Sequence, residues 1–99
     1  MPYADPLTDA QLDEALERLP GWERDGAAIR RTVELRGFRA AIDLVVAAAD
    51  AADAADHHPD ICVHGYRRVT FTLTTHAAGA VTRRDVELAG TIDELARAE

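Results

Sequence analysis

Histidine is the residue type in this sequence best suited to chemistry at neutral pH, and the chain contains His57, His58, His64 and His76. An imidazole can donate or accept a proton between about pH 5 and 8. His57 and His58 come at the end of a predicted helix, and His76 comes at the end of a predicted strand. Side chains held at the ends of rigid elements can converge on one cleft. The pattern therefore favours an acid–base site made from these three, whereas His64, in a predicted turn, is expected to have no role.

Two aspartates precede the paired histidines at a place that a purely structural helix would avoid. Asp53 and Asp56 fall in the last helical turn, where the macrodipole disfavours negative charge and where carboxylates three residues apart repel each other. The benefit would be electrostatic, because a carboxylate one turn before His57 favours its protonated imidazolium form. The alternative is that both aspartates form a solvated face of an alanine-rich helix and that His76 is an ordinary surface residue.

A metal site is the other chemistry that these residues could support. Histidine and aspartate are good metal ligands, and the candidate ligands are Asp53, His57, His58 and His76. Adjacent histidines, however, do not aim both imidazoles at one ion from a helix, and the sequence has no H-E-x-x-H-type or cysteine-pair spacing. We therefore expect no metal.

Alternating helices and strands must position these side chains. Thr8 and Gln11 form a capping box that begins the first helix, and Thr82 with Asp85 begins the last one. Pro59 ends the second helix, because proline pushes the preceding residue out of the helical region. The elements are predicted at residues 8–19, 22–24, 28–35, 38–56, 60–63, 67–75 and from 82 onward. Their order, α-β-β-α-β-β-α with short hairpins, predicts an α+β fold in one domain spanning residues 1–99: a four-stranded antiparallel sheet with three helices on one face.

Composition limits the partners and the compartment. The net charge is −7, and every basic side chain is an arginine in a scattered position, so direct nucleic-acid binding and binding to an anionic membrane surface are disfavoured. Cys62 is the single cysteine, which excludes an intrachain disulfide and suits a reducing cytoplasm. Residues 1–5 lack the basic start and apolar run of a signal peptide. The apolar-rich stretch 38–55 is interrupted by charges, so no membrane span is expected.

The spacing of the candidate residues also resembles a known family. Asp53-x-x-x-His57-His58-Pro59, followed at set distances by Tyr66, His76 and Asp85, is similar to the signature of the pterin-4a-carbinolamine dehydratases, also known as dimerisation cofactors of a hepatocyte transcription factor. The likeness continues in the Gly21-Trp22 pair, in the start of the second helix and in the last helix. It covers nearly the whole chain and is distributed over several elements.

The resemblance implies a function and an assembly. Family members eliminate water from 4a-hydroxytetrahydrobiopterin to give quinonoid dihydropterin, without a metal or organic cofactor, and they assemble as homodimers or homotetramers, often by joining sheets edge to edge. The implied catalytic residues are His57 and His76 as acid and base, in an order left open, with His58 binding the pterin. The implied binding or orienting residues are Asp53, Asp56, Pro59 and Asp85.

The main alternative is a non-catalytic interaction protein on the same fold, such as a coactivator or an assembly chaperone, because a fold alone does not decide function. The histidines favour the enzyme, since a scaffold has no need of three imidazoles at one site. A third possibility is the same mechanism acting on another pterin, or in molybdopterin metabolism.

Overall fold

The computed structural model describes residues 5–99. The prediction that the N-terminus is not a signal peptide rests on residues 1–5, of which residues 1–4 lie outside the described residues. In chain order, the structure contains α1 (Asp9–Glu17), β1 (Glu23–Asp25), β2 (Ala28–Glu34), α2 (Phe38–Ala55), β3 (Asp60–His64), β4 (Arg68–Leu73), a 3-10 turn (His76–Ala78) and α3 (Arg83–Arg97). This confirms the predicted α+β fold and the order of its elements. Among the described residues, no helix is long and apolar enough to cross a membrane.

The four strands form one antiparallel sheet in the order β1-β2-β4-β3. Two hairpins, β1-β2 and β3-β4, are joined through the pairing of β2 with β4, which places Val33 opposite Val69 and Ile29 opposite Leu73. Strand β3 therefore lies at one edge of the sheet. The edge strand begins directly after the His57-His58-Pro59 segment and so connects this segment to the rigid sheet.

One face of the sheet is covered by the helices. Val69, Phe71 and Leu73 are fully buried, whereas Thr70 and Thr72 between them are only half-buried on the other face. This confirms the alternation expected for a strand with one buried side. The helices contribute small and branched side chains to the same core, including Ala41, Leu44, Ala48, Leu88, Ala89 and Ile92.

Both predicted capping boxes are present. The Thr8 hydroxyl accepts from the Gln11 amide and the Gln11 side chain accepts from the Thr8 amide, and Thr82 and Asp85 repeat this exchange at the start of α3. Each box satisfies backbone donors that the first helical turn leaves unpaired. The box at α3 matters for the site, because Asp85 is also buried.

A polar contact joins the first third of the chain to the last helix. The Trp22 indole donates to Asp93 Oδ1 at 2.8 Å, and Arg31 Nη1 donates to the same oxygen at 2.5 Å. Arg31 lies on the covered face of β2, where an apolar residue is expected, and the carboxylate of α3 neutralises it there. Gly21 leaves room for this guanidinium, since its φ is +94° and a Cβ there would lie 2.9 Å from Arg31 Nε.

Several predicted boundaries are wrong by one or two residues, with local causes. Strand β4 ends at Leu73 rather than at residue 75, because the chain leaves the ladder and closes the 3-10 turn that begins at His76. Strand β3 includes His64, which was expected in the turn, because the positive-φ residues that form the turn are Gly65 and Tyr66. Helix α2 ends one residue early for a reason that shapes the site.

Candidate active site

The end of α2 is a left-handed cap that redirects the chain. Asp56 has φ 49° and ψ 44°, its N–H donates to the Asp53 carbonyl at 3.2 Å, and the His57 N–H donates to the Ala52 carbonyl at 3.1 Å. These two bonds are the pair that defines a Schellman motif. Because the chain reverses at Asp56, His57 is directed into the protein and His58 toward solvent: His57 is buried and His58 is exposed.

His57 contacts a carboxylate from a distant part of the chain. Its Nε2 lies 2.5 Å from Asp85 Oδ1, and the two residues are 8% and 0% exposed. Asp85 stands in the first turn of α3, where the helix dipole stabilises negative charge. The contact therefore fixes the position of the imidazole ring against a rigid helix end.

The second oxygen of Asp85 is held equally firmly. Oδ2 accepts from the Thr82 N–H at 2.9 Å and from the Thr75 hydroxyl at 2.8 Å, and the Thr75 and Thr82 hydroxyl oxygens lie 2.8 Å apart. Among the described residues, no buried side-chain nitrogen or oxygen lacks a partner. Sequence reasoning allowed Asp85 to orient His76, to orient the substrate or simply to cap α3. The structure shows a residue that caps α3 and contacts His57.

Asp53 meets a different histidine from the one that its spacing indicated. His58 Nε2 lies 3.0 Å from Asp53 Oδ1, with both side chains largely exposed. The expectation that Asp53 would lie beside His57 assumed that the helix continued, whereas the reversal at Asp56 moves His57 off the helical face. The expected placement of Asp53 is therefore wrong as to its partner.

Asp56 and Pro59 lie on either side of His57 and His58 in the chain. The carbonyl of Asp56 accepts from Arg84 Nη2 at 2.8 Å, so α3 clamps the end of α2 beside the residue that holds His57. Pro59 is half-buried and leads into β3. Their proposed contacts with a substrate remain predictions.

His76 begins the 3-10 turn and is exposed. Its neighbour Thr75 is buried, and the Thr75 carbonyl accepts from the amides of Ala78 at 3.0 Å and Gly79 at 2.9 Å, which closes the turn. The Thr75 hydroxyl reaches Asp85, which in turn contacts His57. The structure thus links the segment that carries His76 to His57 through one shared carboxylate.

Tyr66, which forms part of the family signature, lies elsewhere. It occupies the tip of the β3–β4 hairpin with φ 53°, is exposed, and has the Arg67 guanidinium 5.9 Å from its ring centre. Strand β3 separates this tip from Pro59, a rise of roughly 16 Å at the usual spacing of an extended strand. His64 also faces away from the site, since its Nε2 lies 2.8 Å from the Thr70 hydroxyl on the open face of the sheet.

Thr75 and Arg84 are site residues that sequence reasoning missed. Thr75 did carry a signal, because it continues the buried series Val69, Phe71 and Leu73 with a polar residue. A hydroxyl at a core position requires a buried partner. Nothing in the local pattern around Arg84 indicates that it reaches the end of another helix.

Of the three candidate histidines, His57 is buried, whereas His58 and His76 are exposed. Recesses of about 300, 290 and 160 Å³ occur on the described surface; Ala55 and Arg84 line the smallest, beside the segment that carries His57, and no histidine lines any of the three. No group of three potential metal ligands comes together among residues 5–99. The arrangement instead combines one buried imidazole, fixed through Nε2, with two exposed imidazoles. Because Asp85 occupies Nε2, the nitrogen of His57 left for a ligand is Nδ1.

Comparison with known sequences points to one family. Residues 5–95 match the sequence model described as Pterin 4 alpha carbinolamine dehydratase. A relative from Nocardia farcinica (strain IFM 10152), assigned by name to these dehydratases, is 55% identical over 91 residues, which are 92% of this chain and 95% of the relative. A relative from Roseiflexus sp. (strain RS-1) with the same assignment is 49% identical over 89 residues, which are 90% of this chain and 95% of that protein.

Solved structures show the same architecture. The crystal structure of a transcriptional coactivator/pterin dehydratase from Brucella melitensis superposes with a TM-score of 0.88 and 34% identity, covering 93% of this chain and 99% of that one. A pterin dehydratase-like protein, described as a RuBisCO assembly factor in the alpha-carboxysome, has a TM-score of 0.63 and 17% identity, covering 76% and 86% of the two chains. The second likeness concerns the fold alone.

Proposed function

Because the chain belongs to the pterin-4a-carbinolamine dehydratases, a family of lyases, we propose that it removes water from 4a-hydroxytetrahydrobiopterin with His57 and His76 as its acid–base pair. The observation that carries the proposal is the buried His57–Asp85 contact, because two hydrogen bonds through Asp85 connect His57 to the segment bearing His76. The reaction yields quinonoid dihydropterin and would support the recycling of tetrahydrobiopterin.

The reaction requires one proton to arrive and another to leave. The 4a-hydroxyl is a poor leaving group until it is protonated, and it then departs as water. The N5–H bond breaks at the same stage, and its electron pair forms the N5=C4a double bond. The substrate therefore gains one proton and loses one, and acid–base residues can supply both transfers without a cofactor.

The geometry favours a different role for each of the three histidines. With Nε2 facing Asp85, His57 would present Nδ1 to the substrate as the acceptor of the N5 proton, while the buried carboxylate holds the ring in place. His76, exposed on its turn, would donate the proton to the hydroxyl. The exposed His58–Asp53 pair would bind and orient the pterin ring. Asp56 and Pro59 would set the direction of this pair through the backbone.

A dehydration assay tests this proposal directly. With enzymatically generated 4a-hydroxytetrahydropterin, His57→Ala and His76→Ala should each lower kcat by roughly 10²- to 10⁴-fold, the usual contribution of a positioned acid or base. His64→Ala is the matched control and should keep the wild-type rate, since His64 lies on the open face of the sheet. Circular dichroism should show that all three variants fold. Full activity in either of the first two variants would remove that histidine from the mechanism.

A non-catalytic interaction scaffold, such as a coactivator or assembly chaperone, is the second candidate. The Brucella melitensis protein is described as both coactivator and dehydratase, and α2 of this chain exposes Phe38 and Val46, each 56% accessible. If the protein is only a scaffold, dehydration in the presence of the wild type should be no faster than the uncatalysed reaction. A scaffold would also leave any partner binding unchanged in His57→Ala and His76→Ala, so the same variants separate the two functions.

We further propose that the protein is a cytoplasmic homodimer or homotetramer that does not bind nucleic acid directly or associate with a membrane. Strand β3 is a sheet edge with unpaired backbone groups, and its Val63 is 36% exposed. Such edges pair readily with another strand. The net charge of −7 is unfavourable for a nucleic-acid or anionic membrane surface.

A further inference from the structure

We infer that Thr75 is a positioning residue that couples the two catalytic histidines: its hydroxyl fixes the carboxylate that holds His57, and its backbone carbonyl holds the turn that carries His76. The predicted effect of Thr75 on the dehydration rate rests on the proposed function. Its predicted effect on the position of the His57 ring rests on the structure alone. Thr75 is 4% exposed and would not touch the pterin.

The hydroxyl branch follows from counting hydrogens. A carboxylate oxygen only accepts, so the Thr75 hydroxyl donates to Asp85, and the Thr82 hydroxyl, 2.8 Å from Thr75, must donate to the Thr75 oxygen. The single hydrogen of the Thr75 hydroxyl is then directed at Asp85 Oδ2. The chain Thr82 to Thr75 to Asp85 has one direction only, and it ends on a carboxylate whose other oxygen faces His57.

The backbone branch starts from the same residue. The Thr75 carbonyl accepts from the amides of Ala78 and Gly79, and the Thr75 N–H donates to the Ala80 carbonyl at 3.1 Å. These bonds define the turn on which His76 stands. Any shift of Thr75 would therefore move the His76 segment and the Asp85 carboxylate together.

Substitutions at this position can separate the two branches. Thr75→Val keeps the shape and the backbone contacts but removes the donor to Asp85, so Oδ2 retains one N–H partner and the Thr82 hydroxyl loses its acceptor. The carboxylate can then rotate, and His57 Nε2 loses its aligned acceptor. Thr75→Ser keeps the hydroxyl. Thr74→Val is the matched control, since the adjacent Thr74 hydroxyl donates to the Ala27 carbonyl at 2.6 Å, away from the site.

Two measurements on the full-length protein test the inference. In the dehydration assay, Thr75→Val should lower kcat roughly tenfold to a hundredfold, the equivalent of a lost hydrogen bond to a charged group, with little change in KM. Thr75→Ser and Thr74→Val should remain close to wild type. In nitrogen-15 NMR, the Nε2–H signal of His57 should shift or broaden in Thr75→Val and be restored in Thr75→Ser. Thr75→Ala serves the same comparison if the valine variant does not fold.

The outcomes distinguish this inference from the proposed function. An unchanged kcat and an unchanged His57 ring signal in Thr75→Val would overturn the positioning role, as would equal losses in the valine and serine variants. If the wild type shows no dehydration, the proposed function fails, and the NMR comparison alone decides whether the Thr75 hydroxyl holds His57.

Discussion

Asp53 and Asp85 show how differently one chemical group behaves in two environments. The Asp53 side chain is 81% exposed and meets His58 at the surface, where water screens the interaction. Asp85 is fully buried and receives the Thr75 hydroxyl, the Thr82 amide and the His57 ring. A buried carboxylate with such partners is costly to disturb, because any donor left without an acceptor is desolvated.

The same substitution at both positions measures this difference. Asp85→Asn replaces one acceptor oxygen by an amide that cannot accept, so we expect kcat to fall at least tenfold and the free energy of unfolding to fall by about 2 kcal/mol. Asp53→Asn should change the free energy of unfolding by less than about 1 kcal/mol. Urea denaturation and the dehydration assay check both. Equal stability losses in the two variants would contradict the assigned role of Asp85.

At the scale of elements, the end of α2 decides which histidine is buried. The left-handed residue Asp56 reverses the chain, so that consecutive histidines point in opposite directions. A continued helix would have placed His57 one turn beyond Asp53. The Arg84 guanidinium of α3 donates to the Asp56 carbonyl, and Asp85 contacts His57. The start of α3 therefore holds the end of α2 at the candidate site.

The left-handed cap of α2 predicts that glycine substitutions at Asp56 and Ala54 have opposite effects on the free energy of unfolding. Asp56→Gly should raise the free energy of unfolding by about 0.5–1 kcal/mol, because glycine accepts a positive φ without strain and the substitution removes a negative charge from a helix C-terminus. Ala54→Gly, in an exposed position of the last helical turn, should lower it by about 0.5–1 kcal/mol. Thermal or urea unfolding measures both. A loss of stability in both variants would mean that the cap is not left-handed in solution.

At the scale of the whole molecule, two exposed features among the described residues are candidate surfaces for the proposed assembly. One is the edge strand β3, and the other is the outer side of α2, which exposes Phe38 and Val46. The paired histidines His57 and His58 lie where α2 ends and β3 begins.

Sedimentation velocity tests the proposed assembly. We expect a mass two or four times that of the protomer, and Val63→Lys should shift it downward, because a lysine on an edge strand opposes pairing with another strand. Val46→Lys should do the same if α2 forms a second interface. Ala10→Lys, on the exposed side of α1, is the control and should leave the mass unchanged. A monomeric wild type over the whole concentration range would refute the proposal.

The order of the elements, both capping boxes and the alternation of β4 were predictable from the sequence, because each depends on residues within a few positions of one another. The positions of His57, His58 and His76 at predicted helix and strand ends, together with the family resemblance, predicted them as candidate site residues. Trp22, Arg31 and Asp93 each looked ordinary in isolation, and their contact spans most of the chain.

Only the tertiary structure decided how the candidate residues pair. The left-handed backbone of Asp56 turns His57 away from the helical face that carries Asp53, and the composition of the helix does not predict this turn. The joining of Thr75, Asp85 and His57 depends on how α3 packs against the ends of α2 and β4. Local patterns report which residues favour a helix, a strand or a turn, but a contact between distant residues exists only once the core has brought their elements together.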